Sequence, residues 1–328
     1  MTELFKIKNS RFLVTGGTGF IGSGLVKGLL NAGAFVRTLD NDSRGARRKL
    51  GNAVDQVEII AGDVRDSAVV RKAVAGMDCV CHLAYINGTE FFYTKPELIL
   101  EVAVKGMMNV IDACIAEGVK SIFLASSSEV YQAPPHVPTD ETVPLIIPDI
   151  LNPRYSYGGG KIISELLLVN YGRKCFDRAI IFRPHNVYGP DMGWEDVIPQ
   201  FALRMKKLFA ETGGVLDFPI QGTGNETRAF IFIDDFVAAL LRVIEKGEHL
   251  NVYHIGTAGE INIRALAEMT ARCFNREIRI IAGRLMAGST PRRCPDVSKL
   301  SRLGFTPEVD LRTGLAKTVA WYIEKSPS

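Results

Sequence analysis

Short apolar runs punctuate the chain: "RFLVT" (Arg11–Thr15), "AFVRTL" (Ala34–Leu39), "VEIIA" (Val57–Ala61), "DCVCHLA" (Asp78–Ala84), "SIFLASS" (Ser121–Ser127) and "RAIIFR" (Arg178–Arg183). The runs are nearly continuous, not alternating, and amphipathic helical stretches such as Pro96–Glu117 separate most of them. Strands with no polar face, spaced by helices, predict an α/β fold in which a doubly wound parallel sheet is covered on both sides. Proline-rich Pro134–Pro153 reads as a long loop between the fifth strand and a helix Tyr157–Tyr171. After Arg183 the alternation loosens into loops rich in Gly, Pro, Arg and Asn, such as "QGTGNETRAF" and "STPRRCPDVSK". The expected division is a nucleotide-binding unit over residues 1–183, with a return segment of strand and helix at about 229–256. A smaller, interleaved substrate-binding region then takes residues 184–228 and 257–328.

Composition narrows the class only slightly. Of 328 residues, 47% are hydrophobic and 23% charged, which is ordinary globular usage. A net charge of +3 without a long basic run argues against a nucleic-acid surface. No run reaches the roughly 18 apolar residues of a membrane span, and the N-terminus lacks a signal-peptide core. The six cysteines are scattered, so reduced thiols and a cytoplasmic location are expected. Neither cysteine nor histidine spacing fits a metal site.

Chemistry first appears in "LVTGGTGFIGSGLVKGLL", where a strand turns into a helix. Gly16, Gly19 and Gly22 form G-x-x-G-x-x-G. Glycines there let the backbone turn tightly and approach a pyrophosphate, whose charge meets the helix N-terminus at Phe20 and Ile21. The second strand ends beside Asp40, placed to bond an adenosine ribose and to repel a 2′-phosphate. NAD is therefore favoured over NADP, against the pull of nearby Arg44, Arg47 and Arg48. "GDV" (Asp63, Val64) and "HLA" (Leu83, Ala84) close later strands, where adenine and nicotinamide contacts are expected.

"RYSYGGGK" sets Tyr157 and Lys161 one helical turn apart with three glycines between them. A phenol titrates near 10 when unperturbed. A neighbouring ammonium and a positively charged nicotinamide both favour the phenolate, which takes a proton from a sugar hydroxyl as hydride leaves the same carbon. Gly158–Gly160 are expected to leave the helix start open to the cofactor ring and the sugar.

Together, Gly16–Gly22, Asp40, Asp63, Ser126–Tyr131, Tyr157 and Lys161 resemble the extended short-chain dehydrogenase/reductase family, the NAD-dependent nucleotide-sugar epimerases and dehydratases with a Rossmann-type sheet. "RPHNVYGP" (Arg183–Pro190), "TRAFIFIDD" (Thr227–Asp235) and "RRCPDVSKLSRLGFTP" (Arg292–Pro307) extend the likeness over nearly the whole chain. The resemblance implies a bound NAD that oxidises the sugar at C4 and later returns the hydride. It further implies Ser127 on the reacting hydroxyl, Tyr157 as base, Lys161 as its partner and holder of the nicotinamide ribose, and Asn186, Arg228 and Arg293 around the nucleotide-sugar diphosphate. Four positions depart from the family's habit: Gly160, where serine is frequent; Gln132, where glycine is; Tyr85, where a small residue is; and His185.

Once C4 is a ketone, the hydrogen on C5 is acidified and a nearby base decides the product. If the fifth strand runs on, Glu129 shares the face of Ser127. Glutamate there resembles the 4,6-dehydratases and the decarboxylases, and Ser128 stands where some dehydratases carry an aspartic acid. The sequence reading leans to a 4-epimerase acting on a nucleoside-diphosphate hexose, with 4,6-dehydratase and then decarboxylase as alternatives. A non-catalytic NAD-binding relative would lack Ser127, Tyr157 or Lys161, and all three are present. Apolar residues on Pro96–Glu117 and Tyr157–Tyr171 predict a homodimer, because relatives in the family pair these helices into a four-helix bundle.

Overall fold

The computed structural model describes residues 4–211, 213–284 and 290–325. Seven parallel strands form the central sheet: β1 (Arg11–Thr15), β2 (Phe35–Asp40), β3 (Val57–Ala61), β4 (Cys79–His82), β5 (Ser121–Ala125), β6 (Arg178–Pro184) and β7 (Asn251–Ile255). Their order is β7-β6-β5-β4-β1-β2-β3, so the winding reverses between β1 and β4. Ligands of such sheets bind at the carboxyl ends of the strands beside that reversal.

The apolar runs are continuous because both faces are buried. Phe12, Val14, Phe123 and Phe182 point into one core, and Leu13, Ile122, Leu124 and Ile181 into the other. Helix Phe20–Asn31 lies close to helix Ile233–Lys246 because Gly24 and Gly28 present no side chain to Val237. On the other face, Pro96–Glu101 and Met107–Ala116 run on through a π-helical turn, Val102–Gly106, where the expected helix was regular. That turn meets the helix Ser156–Cys175 at Ala103, whose carbonyl accepts from Ser164 Oγ at 3.2 Å.

Three sequence expectations change. β4 ends at His82 and β5 at Ala125, each two residues before the apolar run does. Beyond β5, Ser127 caps a 3₁₀ turn, Ser128–Val130, so Ser127 and Glu129 do not share a strand face. Ile231–Phe232 does not enter the large sheet; it pairs with Val187–Tyr188, tied there by Asn186, and β7 closes the sheet instead. In the smaller region, Thr227–Ala229 lies between Glu260–Asn262 and Arg292–Arg293. That pairing sets Arg293 opposite Arg228.

Candidate active site

Gly16 adopts φ +72°, and a Cβ there would meet the Ala84 amide nitrogen at 2.8 Å. A Cβ on Gly22 would overlap the Gly16 carbonyl oxygen. The loop therefore folds onto itself and onto the end of β4 only without side chains. Helix Phe20–Asn31 starts at Gly19 with no side-chain cap and no acidic residue in its first turn. Its free N–H groups and positive dipole end remain for an anion, and Phe20 and Ile21 stand half-buried at that end. Thr15 fixes the neighbouring wall. Its hydroxyl accepts from Leu83 N and Ala84 N at 3.1 Å and shares a hydrogen bond with His82 Nδ1 at 2.8 Å. Val64 is buried beside Gly106, and its carbonyl accepts from Asn109.

Asp40 sits at the end of β2, where one carboxylate oxygen accepts from Thr18 N and the other from Asp42 N, both at 3.0 Å. The neighbouring cations are committed elsewhere. Arg48 and Lys49 pair with Asp191, Arg47 with Asp42, and Arg44 with Glu195. Each of these cations has an acid beside it, and Asp40 itself stands where it would repel a 2′-phosphate. Asp63 is bound by Arg65 and Asn41, and the Arg65 hydrogen bond holds its carboxyl below the usual range.

Tyr157 and Lys161 are both buried at the start of their helix. Burial pushes the Tyr157 phenol up to about 12, against the pull of a Ser127 hydrogen bond. Burial also pushes the Lys161 ammonium down to about 7, with Glu165 opposing. The expected phenolate is thus not favoured by the chain alone, because desolvation outweighs the pull of Ser127 and Arg293; Lys161 Nζ lies 5.9 Å from the ring centre. Lys161 Nζ donates to the Ala125 carbonyl at 2.6 Å, which ties it to the end of β5.

The three glycines are not open, as the sequence led one to expect. A Cβ on Gly158 would lie 2.7 Å from the Gln132 amide nitrogen, one on Gly159 3.3 Å from Ile147, and one on Gly160 would overlap the Tyr85 hydroxyl. Two of the sequence departures, Gln132 and Tyr85, fill the space that two of the glycines vacate.

Glu129 Oε1 accepts from Arg293 Nη1 at 2.6 Å, and Arg293 also donates to Thr290 Oγ1. Burial raises the Glu129 carboxyl, but the charge and hydrogen bond of Arg293, with Arg154 and Arg228 behind, carry it below the usual range. Arg228 donates to the Thr227 and Thr290 carbonyls, and burial pushes it down to about 10. Ser128 is buried at the start of the 3₁₀ turn. Asn186, at φ +42°, donates to the Ala229 carbonyl and so fixes the strand that carries Arg228.

Sequence reasoning missed the support behind the site. Glu165 receives Arg183 at 2.9 and 2.6 Å and also accepts from Ser126 Oγ. Arg183 reaches the Tyr131 hydroxyl, which bonds His254 Nε2 at 2.6 Å. This buried chain anchors the segment that presents Ser127. Its members lie far apart in sequence, and no spacing announces it.

Residues 12–256 match the model of the NAD dependent epimerase/dehydratase family. The chain belongs to this family. Its cofactor is NAD, and the glycine loop, uncapped helix end and Asp40 fit that group. Among curated relatives, dTDP-4-dehydro-6-deoxy-D-allose reductase of Streptomyces bikiniensis is 31% identical, over 94% of this chain and 95% of its own. UDP-glucuronic acid decarboxylase 6 of Arabidopsis thaliana is 32% identical over 94% and 87%. A dTDP-glucose 4,6-dehydratase from Streptomyces venezuelae, solved with NAD bound, is 29% identical with a TM-score of 0.83 over 96% and 97% of the two chains. The UDP-N-acetylglucosamine 4-epimerase of Methanobrevibacter ruminantium M1 is 25% identical with a TM-score of 0.85 over 97% and 100%. Likeness of this degree spans reduction, decarboxylation, dehydration and epimerisation of nucleotide sugars.

Proposed function

We propose that this family member oxidises a nucleoside-diphosphate uronic acid at C4 and releases carbon dioxide from C6. The observation carrying this reading is the cluster beside Tyr157, where the Glu129 carboxylate feels three guanidinia, Arg293, Arg154 and Arg228. Glu129 neutralises one of them. Arg154 Nε is buried with no protein partner. A diphosphate answers part of that excess positive charge, and a sugar carboxylate answers the rest.

Tyr157, whose phenol Ser127 draws toward the charged form, takes the C4 hydroxyl proton. NAD, when bound, accepts the C4 hydride, adds positive charge beside the phenol and returns the hydride at the end. The C6 carboxylate of the resulting 4-ketone is β to the carbonyl. The C5–C6 bond breaks, its electron pair moves onto C5 and the C4 oxygen, and carbon dioxide leaves. Ser127 and the protonated Tyr157 donate hydrogen bonds to that oxygen. A proton from solvent water then adds to C5, and Tyr157 returns its own proton to the C4 oxygen as the hydride comes back. Glu129 orients Arg293 and is not asked to act as a base. Dehydration does need a base at C5, and a carboxylate held by Arg293 at 2.6 Å is a poor one.

The 4-epimerase favoured by sequence alone is the second reading. The closed Glu129–Arg293 pair supports it too, since Tyr157, Lys161 and Ser127 suffice for inversion at C4. Purified protein given UDP-glucuronic acid or UDP-glucose separates the readings by product mass. Loss of carbon dioxide supports decarboxylation. Inversion without mass change supports epimerisation, and loss of water dehydration.

The exposed Leu100, Ile115, Ile163 and Leu166 on the two helices fit the pairing of two copies, which light scattering checks as a dimer mass. We also propose a cytoplasmic location, where the six free cysteines would stay reduced. Among the described residues no helix is long and apolar enough to cross a membrane.

A further inference from the structure

Tyr85 and Gly160 are far apart in sequence, and each is unusual for the family. In space they are one feature. Tyr85 follows the end of β4, and its ring face lies 3.6 Å from Lys161 Nζ. The same ring meets Tyr157 edge-on, with centroids 5.2 Å apart at 86°. Its hydroxyl donates to the Tyr157 carbonyl oxygen at 3.3 Å and occupies the place a Gly160 side chain would take.

We infer that Tyr85 is a positioning residue for the Lys161–Tyr157 pair, and that Gly160 is the room it requires. Lys161 Nζ is confined between the Ala125 carbonyl, at 2.6 Å, and the Tyr85 ring. A desolvated ammonium over an aromatic face is attracted by the ring quadrupole. Tyr85 therefore keeps Lys161 in place and favours its charged form, against the burial that pushes it down. The titratable groups facing Lys161 are Glu165 and Tyr157 on its own helix, His82 at the end of β4, and Tyr85 itself. The one carboxylate among them, Glu165, favours the charged Lys161 but is also bound by Arg183, so the ring adds to a carboxylate that is already shared. A serine at position 160, common in the family, would put its Cβ on this hydroxyl, so the tyrosine would have to shift.

The inference rests on Tyr157 and Lys161 carrying out C4 oxidation, and its test separates the two claims. Wild type, Tyr85→Leu and Tyr85→Phe are purified with their bound NAD. NADH formation in a single turnover is followed against pH, with UDP-glucuronic acid and UDP-glucose as probes. Tyr85→Leu removes the ring face; NADH formation should slow by about 10- to 100-fold, as for a misplaced catalytic group, with KM unmoved. The loss of rate on raising pH should begin at lower pH, since Lys161 deprotonates more readily. Tyr85→Phe keeps the face and should restore most of the rate. Wild-type kcat in Tyr85→Leu, or an equal loss in Tyr85→Phe, overturns the inference. Should wild type reduce NAD with neither probe, the functional reading falls and Tyr85 is judged on the NAD released by denaturation. Less NAD from Tyr85→Leu than from Tyr85→Phe upholds it, and equal amounts overturn it.

Discussion

Tyr157 is a phenol surrounded by protein, with Glu129 raising its proton affinity and Ser127 and Arg293 lowering it. Replacement by phenylalanine removes the acceptor for the C4 proton while keeping the packing against Tyr85 and Phe92. NAD reduction by bound sugar, read as NADH absorbance, should fall by about 10²–10⁴ in Tyr157→Phe. Glu129→Gln gives a different outcome. If Glu129 only orients Arg293, C4 oxidation should persist and the cost should fall on sugar affinity. Accumulation of a 4-keto sugar with its C5 hydrogen retained would instead identify Glu129 as the C5 base. Among these residues, identity was legible from sequence because few side chains can do each job. Charge state was not, since it follows from burial and from arginines brought in by distant segments.

At the scale of elements, the glycine loop is a turn that works by what it omits. Gly22→Ala places a methyl group on the Gly16 carbonyl, so loop or helix must shift. Such overpacking costs about 1–3 kcal/mol. Carried wholly by the bound state, that weakens NAD by about 5- to 150-fold. Calorimetric titration of NAD, with the thermal midpoint as a control, checks this. The loop was legible in sequence because strand, glycines and helix are contiguous. The glycines at 158–160 were legible as an anomaly only. They admit Gln132, Ile147 and Tyr85, and three separate segments supply those fillers.

For the whole molecule, three buried histidines set a direction for stability against pH. Burial pushes His82 down to about 3, His254 down to about 4, and His185 well below its ordinary value. The unfolded chain binds protons at these sites below about 6.5, where the folded chain does not. Stability from this source is therefore full above about pH 6.5 and is lost as pH falls toward 4. Thermal midpoints measured from pH 7.5 to 5 should decline. Neither ring nitrogen of His185 has a protein hydrogen-bond partner. His185→Leu should make the decline shallower, because one titrating group is gone and no protein hydrogen bond is lost.

Local chemistry, read from the sequence alone, determined the parallel sheet, the NAD loop, Asp40 and the Tyr157–Lys161 spacing. Each is written in contiguous residues whose periodicity or backbone freedom has one structural use. Only the tertiary structure decided that Glu129 is closed onto Arg293, that Arg44, Arg47 and Arg48 are spent on acids, and that Tyr85 lies on Lys161. These are contacts between segments tens of residues apart, made by packing and desolvation, and neither leaves a period or a spacing in the chain.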